Sequence, residues 1–251
     1  MDNKTLQYST LHLSEAELEQ NIYRIMPEEY VIGLFQKNEN VLSQMRNWKD
    51  KFENFQLKIG GILNGKPFEY GFQDDFVGQC WTRESLSEAM WGIYASDPNR
   101  RYIRIRSTPR KILNALILEH SKMPQDTCFV GKVLYKREAE LKAEFTNGGR
   151  LDVRAANFAN ILLLKRRAFK HEKEVRLLFF GDSTDYCAKG LYRYKIDPHL
   201  MIDQLMADPN RNRVHWNTDK ENLKKATGFA GDIKRSKIYD PPDWTTPEFS
   251  D

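Results

Sequence analysis

Short apolar runs alternate along this chain with helix-length amphipathic stretches, and their order predicts interspersed strands and helices rather than a repeating unit. Ser14 caps a first helical turn, with Glu15, Glu17 and Glu19 near its positive end. Ile22 to Met26 reads as a short strand, and Pro27 opens a helix through about Gln36. Val41 to Met45 reads as a second strand, followed by a glycine-containing turn region from Gly60 to Gly71. Leu86, Met90, Ile93 and Tyr94 form an apolar stripe on a helix from about Glu84 to Tyr94. After the turn Asp97-Pro98-Asn99, a strand from Arg101 to Ser107 points Ile103 and Ile105 inward and Tyr102, Arg104 and Arg106 outward. A helix from Pro109 to His120, a strand from Val130 to Tyr135 and a helix from Leu151 to Arg167 follow. The expected class is α+β, with one domain over 1–240 and an extended or disordered tail over 241–251 beginning at Pro241-Pro242.

The segment from Phe169 to Phe180 breaks the pattern. In a strand, Glu172, Glu174 and Arg176 share one face with Leu178 and Phe180, while Val175, Leu177 and Phe179 pack on the other. Charge at one end of a strand whose far end is core suits an active site. It also suits a sheet edge blunted by charge, carrying a Glu-Arg pair worth at most about 1 kcal/mol if exposed. Leu191 to Ile196 is the expected neighbour of this strand, and a helix near Asp219 to Ala226 precedes a basic strand, Asp232 to Ile238.

Composition narrows the class further. The 251 residues are 40% hydrophobic and 29% charged, which describes a folded chain with a polar surface. The net charge of +4 permits an anionic partner without demanding one. Cys80, Cys128 and Cys187 are odd in number and widely spaced, which reads as reduced thiols in a cytoplasmic protein. The N-terminal residues have no apolar signal segment, and no stretch is long and apolar enough for a membrane span. No glycine-rich phosphate loop or histidine pair with zinc spacing occurs, so no metal is expected.

Several segments resemble, in order, a prokaryotic domain-of-unknown-function family, number twenty-nine seventy-one. They are Ile22-Tyr23-Arg24-Ile25-Met26, Trp48 to Asn54, Cys80-Trp81-Thr82 with Glu84-Ser85, Met90-Trp91 with Tyr94, Glu172 with Glu174 and Arg176, Ile196-Asp197-Pro198, and Ser236-Lys237-Ile238. Lys51 stands where that family usually has proline, and Asn99 to Tyr102 replaces its usual glycine. The layout also resembles that of ADP-ribosyltransferases: a basic residue on an early strand, an aromatic or hydroxyl residue midway and a glutamate on a late strand, places that Arg24, Tyr94 and Glu174 would fill.

That resemblance implies NAD as substrate and no metal. Breaking the nicotinamide–ribose bond builds oxocarbenium-like charge on the sugar, for which a fixed carboxylate such as Glu174 is a stabiliser. Glu172 would orient or deprotonate the acceptor, and Arg176 would keep the carboxylates ionised. Arg24 suits a diphosphate, or else snorkels from a half-buried strand. Tyr94 and Trp91 would stack on a cofactor ring, or else belong to the core. Arg101, Tyr102, Arg104 and Arg106 form a basic, partly aromatic strand able to meet RNA or DNA, and Lys165, Arg166, Arg167 and Lys170 a second basic cluster; solvated charge is the plainer reading of both. The expectation is an intracellular transferase-like toxin or phage-defence effector, with an antitoxin or chaperone as partner. The alternatives are a metal-dependent nuclease using Asp50, Glu53, Glu172 and Glu174, and a non-catalytic nucleic-acid-binding or regulatory module.

Overall fold

The computed structural model describes residues 9–48, 50, 60–68, 74–121, 125–146, 154–187 and 189–242. Residues 51–55, 147–150 and those beyond 242 are among those that lie outside them.

The strands are β1 (Thr10–Leu11), β2 (Ile22–Pro27), β3 (Glu39–Gln44), β4 (Gly61–Leu63), β5 (Lys66–Phe68), β6 (Phe76–Thr82) and β7 (Tyr102–Ser107), then β8 (Cys128–Lys132), β9 (Leu134–Lys136), β10 (Leu164–Arg166), β11 (Glu174–Phe180), β12 (Leu191–Lys195), β13 (Gln204–Ala207) and β14 (Asp232–Arg235). The helices are α1 (Glu15–Leu18), α2 (Glu28–Lys37), α3 (Glu88–Tyr94), α4 (Pro109–Glu119), α5 (Glu138–Thr146), α6 (Ala155–Ile161), α7 (Pro198–Met201) and α8 (Trp216–Thr227). Ser14 caps α1, and Glu17 returns its carboxylate to the Ser14 N–H at 3.0 Å, satisfying two donors the helix leaves free. Pro27 is the residue before α2 rather than its first, and Asn38 ends that helix in the left-handed region at φ 51°.

Among the described residues, ten strands form one mixed sheet in the order β1-β8-β11-β6-β2-β7-β13-β14, with the β3-β12 pair joined to β6. Alternation sends successive residues of each strand to opposite faces. Ile103, Ile105, Val175 and Leu177 therefore meet Ile112, Leu113 and Leu116 of α4 in the main core. On the other face Leu178 packs with Phe158 of α6, and Ile25 and Tyr102 pack with Met90 and Trp91 of α3. The class is α+β, and no helix among the described residues is long and apolar enough to cross a membrane.

Several expected elements differ. The long helix to Arg167 is a short one, α6, followed by the strand β10, which runs parallel to β9 with Leu164 opposite Leu134. The buried run Leu162-Leu163-Leu164 ends that helix because tertiary burial outweighs helical propensity. The strand expected from Val130 to Tyr135 breaks at Val133, whose N–H donates to the Glu174 carbonyl at 3.0 Å. β12 pairs with β3, not with the charged strand, which is flanked by β6 and β8 and is therefore central. The edge-strand reading of that segment falls with it. α3 begins at Glu88, where the Ser87 hydroxyl accepts the Met90 N–H, rather than at Glu84. Tyr102 and Arg104, expected to face outward, are buried because α3 covers their face of β7.

Candidate active site

β6 is paired along its whole length with β11 on one edge. Its other edge meets β2 at Thr82 and β3 at Val77 and Gly78, and the strands part between those points. The parting opens a cavity of about 200 Å³ beside Gln79, Cys80 and Trp81, lined further by Tyr23, Arg24, Trp48, Thr82 and Tyr94. A break in strand pairing in mid-sheet thus makes room for a ligand. Its floor is held by side-chain bonds: Gln79 donates to the Asn40 side-chain carbonyl at 2.9 Å, and the Trp81 indole donates to Gln79 at 2.8 Å.

Arg24 reaches this cavity, and its Nη1 is buried without a hydrogen-bond partner among the described residues. Burial lowers its pKa, the usual cost of removing a guanidinium from water without a partner. Tyr94, the last residue of α3, lines the same cavity; burial and the nearby Glu172 carboxylate raise its phenol pKa. Trp91, one turn earlier, points elsewhere, into the core with Ile25, Met90 and Tyr102.

The two glutamates lie behind that wall. Glu174, directly opposite Thr82 in register, is 2% exposed. Arg176 Nε donates to Glu174 Oε2 at 2.7 Å and its Nη1 to the Leu162 carbonyl at 2.5 Å. The other carboxylate oxygen, Oε1, is gripped by Lys165 Nζ, which also holds Glu172 Oε2 at 2.7 Å. Glu172 is not part of the strand: it ends a 3-10 turn over Arg167–Glu172, and Lys173 follows in the left-handed region at φ 42°. The pair therefore meets through that turn and not through the strand alternation expected from sequence. The Thr82 hydroxyl fixes the turn by donating to the Glu172 carbonyl at 2.6 Å, and Tyr135 OH accepts the Glu174 N–H at 2.8 Å.

Two carboxylates this close resist ionising together. Desolvation and contact with Glu174 push Glu172 up to about 7. Desolvation acts on Glu174 too, but the Arg176 guanidinium and the Lys165 ammonium outweigh it and hold that carboxyl below the usual range. Of the two, Glu174 is the carboxyl held towards its ionised form and Glu172 the one on which a proton is more readily kept.

Lys165 is the residue the sequence reading missed. It was grouped with a solvated basic face, yet it is 6% exposed and bridges both glutamates. The apolar run Leu162-Leu163-Leu164 immediately before it is the signal that it belongs to the interior. The nucleic-acid strand is largely occupied as well. Arg104 lies 4.4 Å over the Tyr23 ring, Arg106 pairs with Asp203, and Arg101, the exposed member, reaches Asp219 at 3.5 Å. Asp50, of the nuclease alternative, accepts from Arg166 at 2.9 Å, and Glu53 lies outside the described residues. No group of three His, Cys, Asp or Glu side chains among the described residues is arranged to hold a metal. A larger cavity of about 540 Å³ lies on the Trp91 side of α3, and its buried Arg211 is already ringed by Glu28, Asp208 and Asp219.

No family model matches the chain and no curated protein matches it, so membership of family twenty-nine seventy-one is not shown. Solved structures with some likeness include Thermus sp. 2.9 DarT in complex with NAD+, at 10% identity and TM-score 0.38, covering 88% of this chain and 97% of that one. The same protein with carba-NAD+ gives 11% and 0.39 over 90% and 99%, and with ADP-ribosylated ssDNA 9% and 0.38 over 88% and 96%. At that level the assignment rests on the chemistry of the site itself.

Proposed function

We propose that this protein is an NAD-dependent ADP-ribosyltransferase acting on nucleic acid, in the manner of a toxin or phage-defence effector working in the cytoplasm with an antitoxin or chaperone as partner. The observation that carries the reading is the unpartnered Arg24 guanidinium in a cavity bounded by Tyr94 and backed by the fixed carboxylate of Glu174. A buried cation without an acceptor is an anion site waiting for its ligand, and a phosphate oxygen of NAD suits a guanidinium fork. The cavity accommodates only the end of a dinucleotide nearest the scissile bond.

NAD supplies the glycosidic bond to be broken. Tyr94 orients the ring it stacks on, Glu174 accepts from the ribose hydroxyl and opposes the charge that grows on the sugar, and Glu172 takes the acceptor's proton. Trp48, which packs on Arg176, and Tyr94, which is 39% exposed and feels both carboxylates, line the cavity on the side of the charged cluster, and in this reading the sugar approaches Glu174 past Tyr94. The nuclease alternative is not favoured: Lys165 and Arg176 already balance the two carboxylates that would hold its metal. The experiment is NAD consumption with nicotinamide release by the purified protein, with and without single-stranded DNA or RNA, followed by detection of label on the acceptor. Release of nicotinamide with label transferred is the expected result; no release under any condition overturns the reading.

A further inference from the structure

We propose that Lys165 is a positioning residue that keeps Glu172 able to give up its proton beside an ionised Glu174, whose charge Arg176 fixes, so that Glu172 remains available as the base. The inference deepens the proposed transferase reading and rests on it for its catalytic meaning. Its basis is geometric. Lys165 Nζ stands between the carboxylates, 2.7 Å from Glu172 Oε2 and in contact with Glu174 Oε1, and its side chain is 7% exposed. Glu174 has a cation on each oxygen, Lys165 on Oε1 and Arg176 on Oε2, whereas the cation described on Glu172 is Lys165. Any proton left on the pair therefore resides on Glu172, where it displaces the smaller attraction.

Among the described residues the groups around this centre are Lys165 from β10, Glu172 from the 3-10 turn, Glu174 and Arg176 from β11, the Tyr135 and Tyr94 phenols from β9 and α3, and the Cys80 thiol and Thr82 hydroxyl from β6. Both phenols are held neutral by burial, so among the described residues Lys165 and Arg176 are the cations that set the balance. Removing Lys165 leaves Glu174 its arginine and takes from Glu172 its ammonium partner. The consequence falls on Glu172: its proton is held more tightly, and the base that must receive the acceptor's proton is not available at neutral pH.

The test is a carboxyl-carbon NMR titration of glutamate-labelled protein, with the Glu172 signal assigned by its loss in Glu172→Gln. It is joined to pH profiles for NAD cleavage and for label transfer to a mixed-sequence single-stranded oligonucleotide. In Lys165→Met the Glu172 titration moves up by about one pH unit or more, the size of effect of an opposite charge at contact distance. Transfer at pH 7 then falls about fivefold or more, and its rising limb moves by the same interval. Cleavage without acceptor changes less, and Lys165→Arg restores the wild-type titration. A lysine that only supports the fold would lower stability without moving either profile. A folded Lys165→Met protein with both the titration and the profiles unchanged overturns the proposal. Should the methionine variant not fold, Lys165→Gln keeps a donor, removes only the charge and is read in the same way. A wild-type protein that titrates Glu172 as expected but never consumes NAD defeats the transferase reading while leaving the electrostatic role of Lys165 in place.

Discussion

The guanidinium of Arg176 lies 4.5 Å from the centre of the Trp48 ring, and the same indole lines the cavity that Arg24 reaches, so Trp48 touches both the buried charge cluster and the cavity. Trp48 does two things at once. It supplies a polarisable face to a cation that water cannot reach, and it forms part of the cavity wall. Trp48→Ala is expected to lower stability by about 2 kcal/mol through the lost cation–π contact and packing, and to admit water to Arg176. Chemical denaturation measures the first effect.

Arg24→Met separates binding from folding. Arg24 is half-buried and its Nη1 is buried without a partner among the described residues, so replacing it with an apolar chain of similar length is expected to leave stability unchanged or raised. The same substitution is expected to weaken NAD binding by about 2 kcal/mol, roughly 30-fold, if the arginine meets a phosphate. Thermal unfolding alone and in the presence of NAD reads both quantities.

Glu174→Gln is expected to lower NAD cleavage by about two to three orders of magnitude, because the charge that opposes the growing positive sugar is lost. It is not a silent change for the fold. Lys165 and Arg176 would both be left facing a neutral amide in the interior, a loss of about 3–5 kcal/mol, so activity must be measured where the variant is shown to be folded. Full activity in the folded variant would remove Glu174 from the chemistry.

The pH dependence of stability has a definite sign. Glu172 is raised from 4.5 to about 7, so the folded protein binds its proton more tightly than the unfolded chain does. This contribution is complete below the unfolded value and is lost as pH rises through about 7. Glu174 behaves oppositely: its contribution is present above the ordinary carboxylate range and is lost only as pH falls well below it. The melting temperature of the wild type relative to Glu172→Gln is therefore expected to fall between about pH 4.5 and pH 7. A constant difference across that window would place Glu172 in an ordinary solvated environment.

For nucleic acid, the arginines of β7 and the residue just before it divide. Arg104→Ala is expected to destabilise the protein by about 2 kcal/mol, since it stacks on Tyr23 and donates to the Ser85 carbonyl, and to leave any salt dependence of binding unchanged. Arg101→Ala removes an exposed cation and is expected to reduce the salt slope of DNA or RNA binding by about one. Affinity measured from low to physiological salt distinguishes the two outcomes.

The local pattern of the chain was sufficient for β2, β7, α4 and β11, because each carries a clean alternation or an amphipathic stripe and its own cap or turn. It also singled out Glu172, Glu174 and Arg176, since charge at one end of an apolar strand suits an active site, although it suits a blunted sheet edge as well. Pairing partners were not legible: β12 joins β3 and β11 lies between β6 and β8 because of how whole faces bury, which no local window contains. Lys165 and Glu172 show the limit most clearly. One read as a helix-end cation and the other as a strand carboxylate, yet a parallel pairing of β10 with β9 and a left-handed Lys173 bring them to 2.7 Å. Residue types and their periodicity are written in the sequence. Whether a charge is solvated or locked in the interior depends on what the rest of the chain stacks over it, and that is settled only when the sheet closes around Glu174.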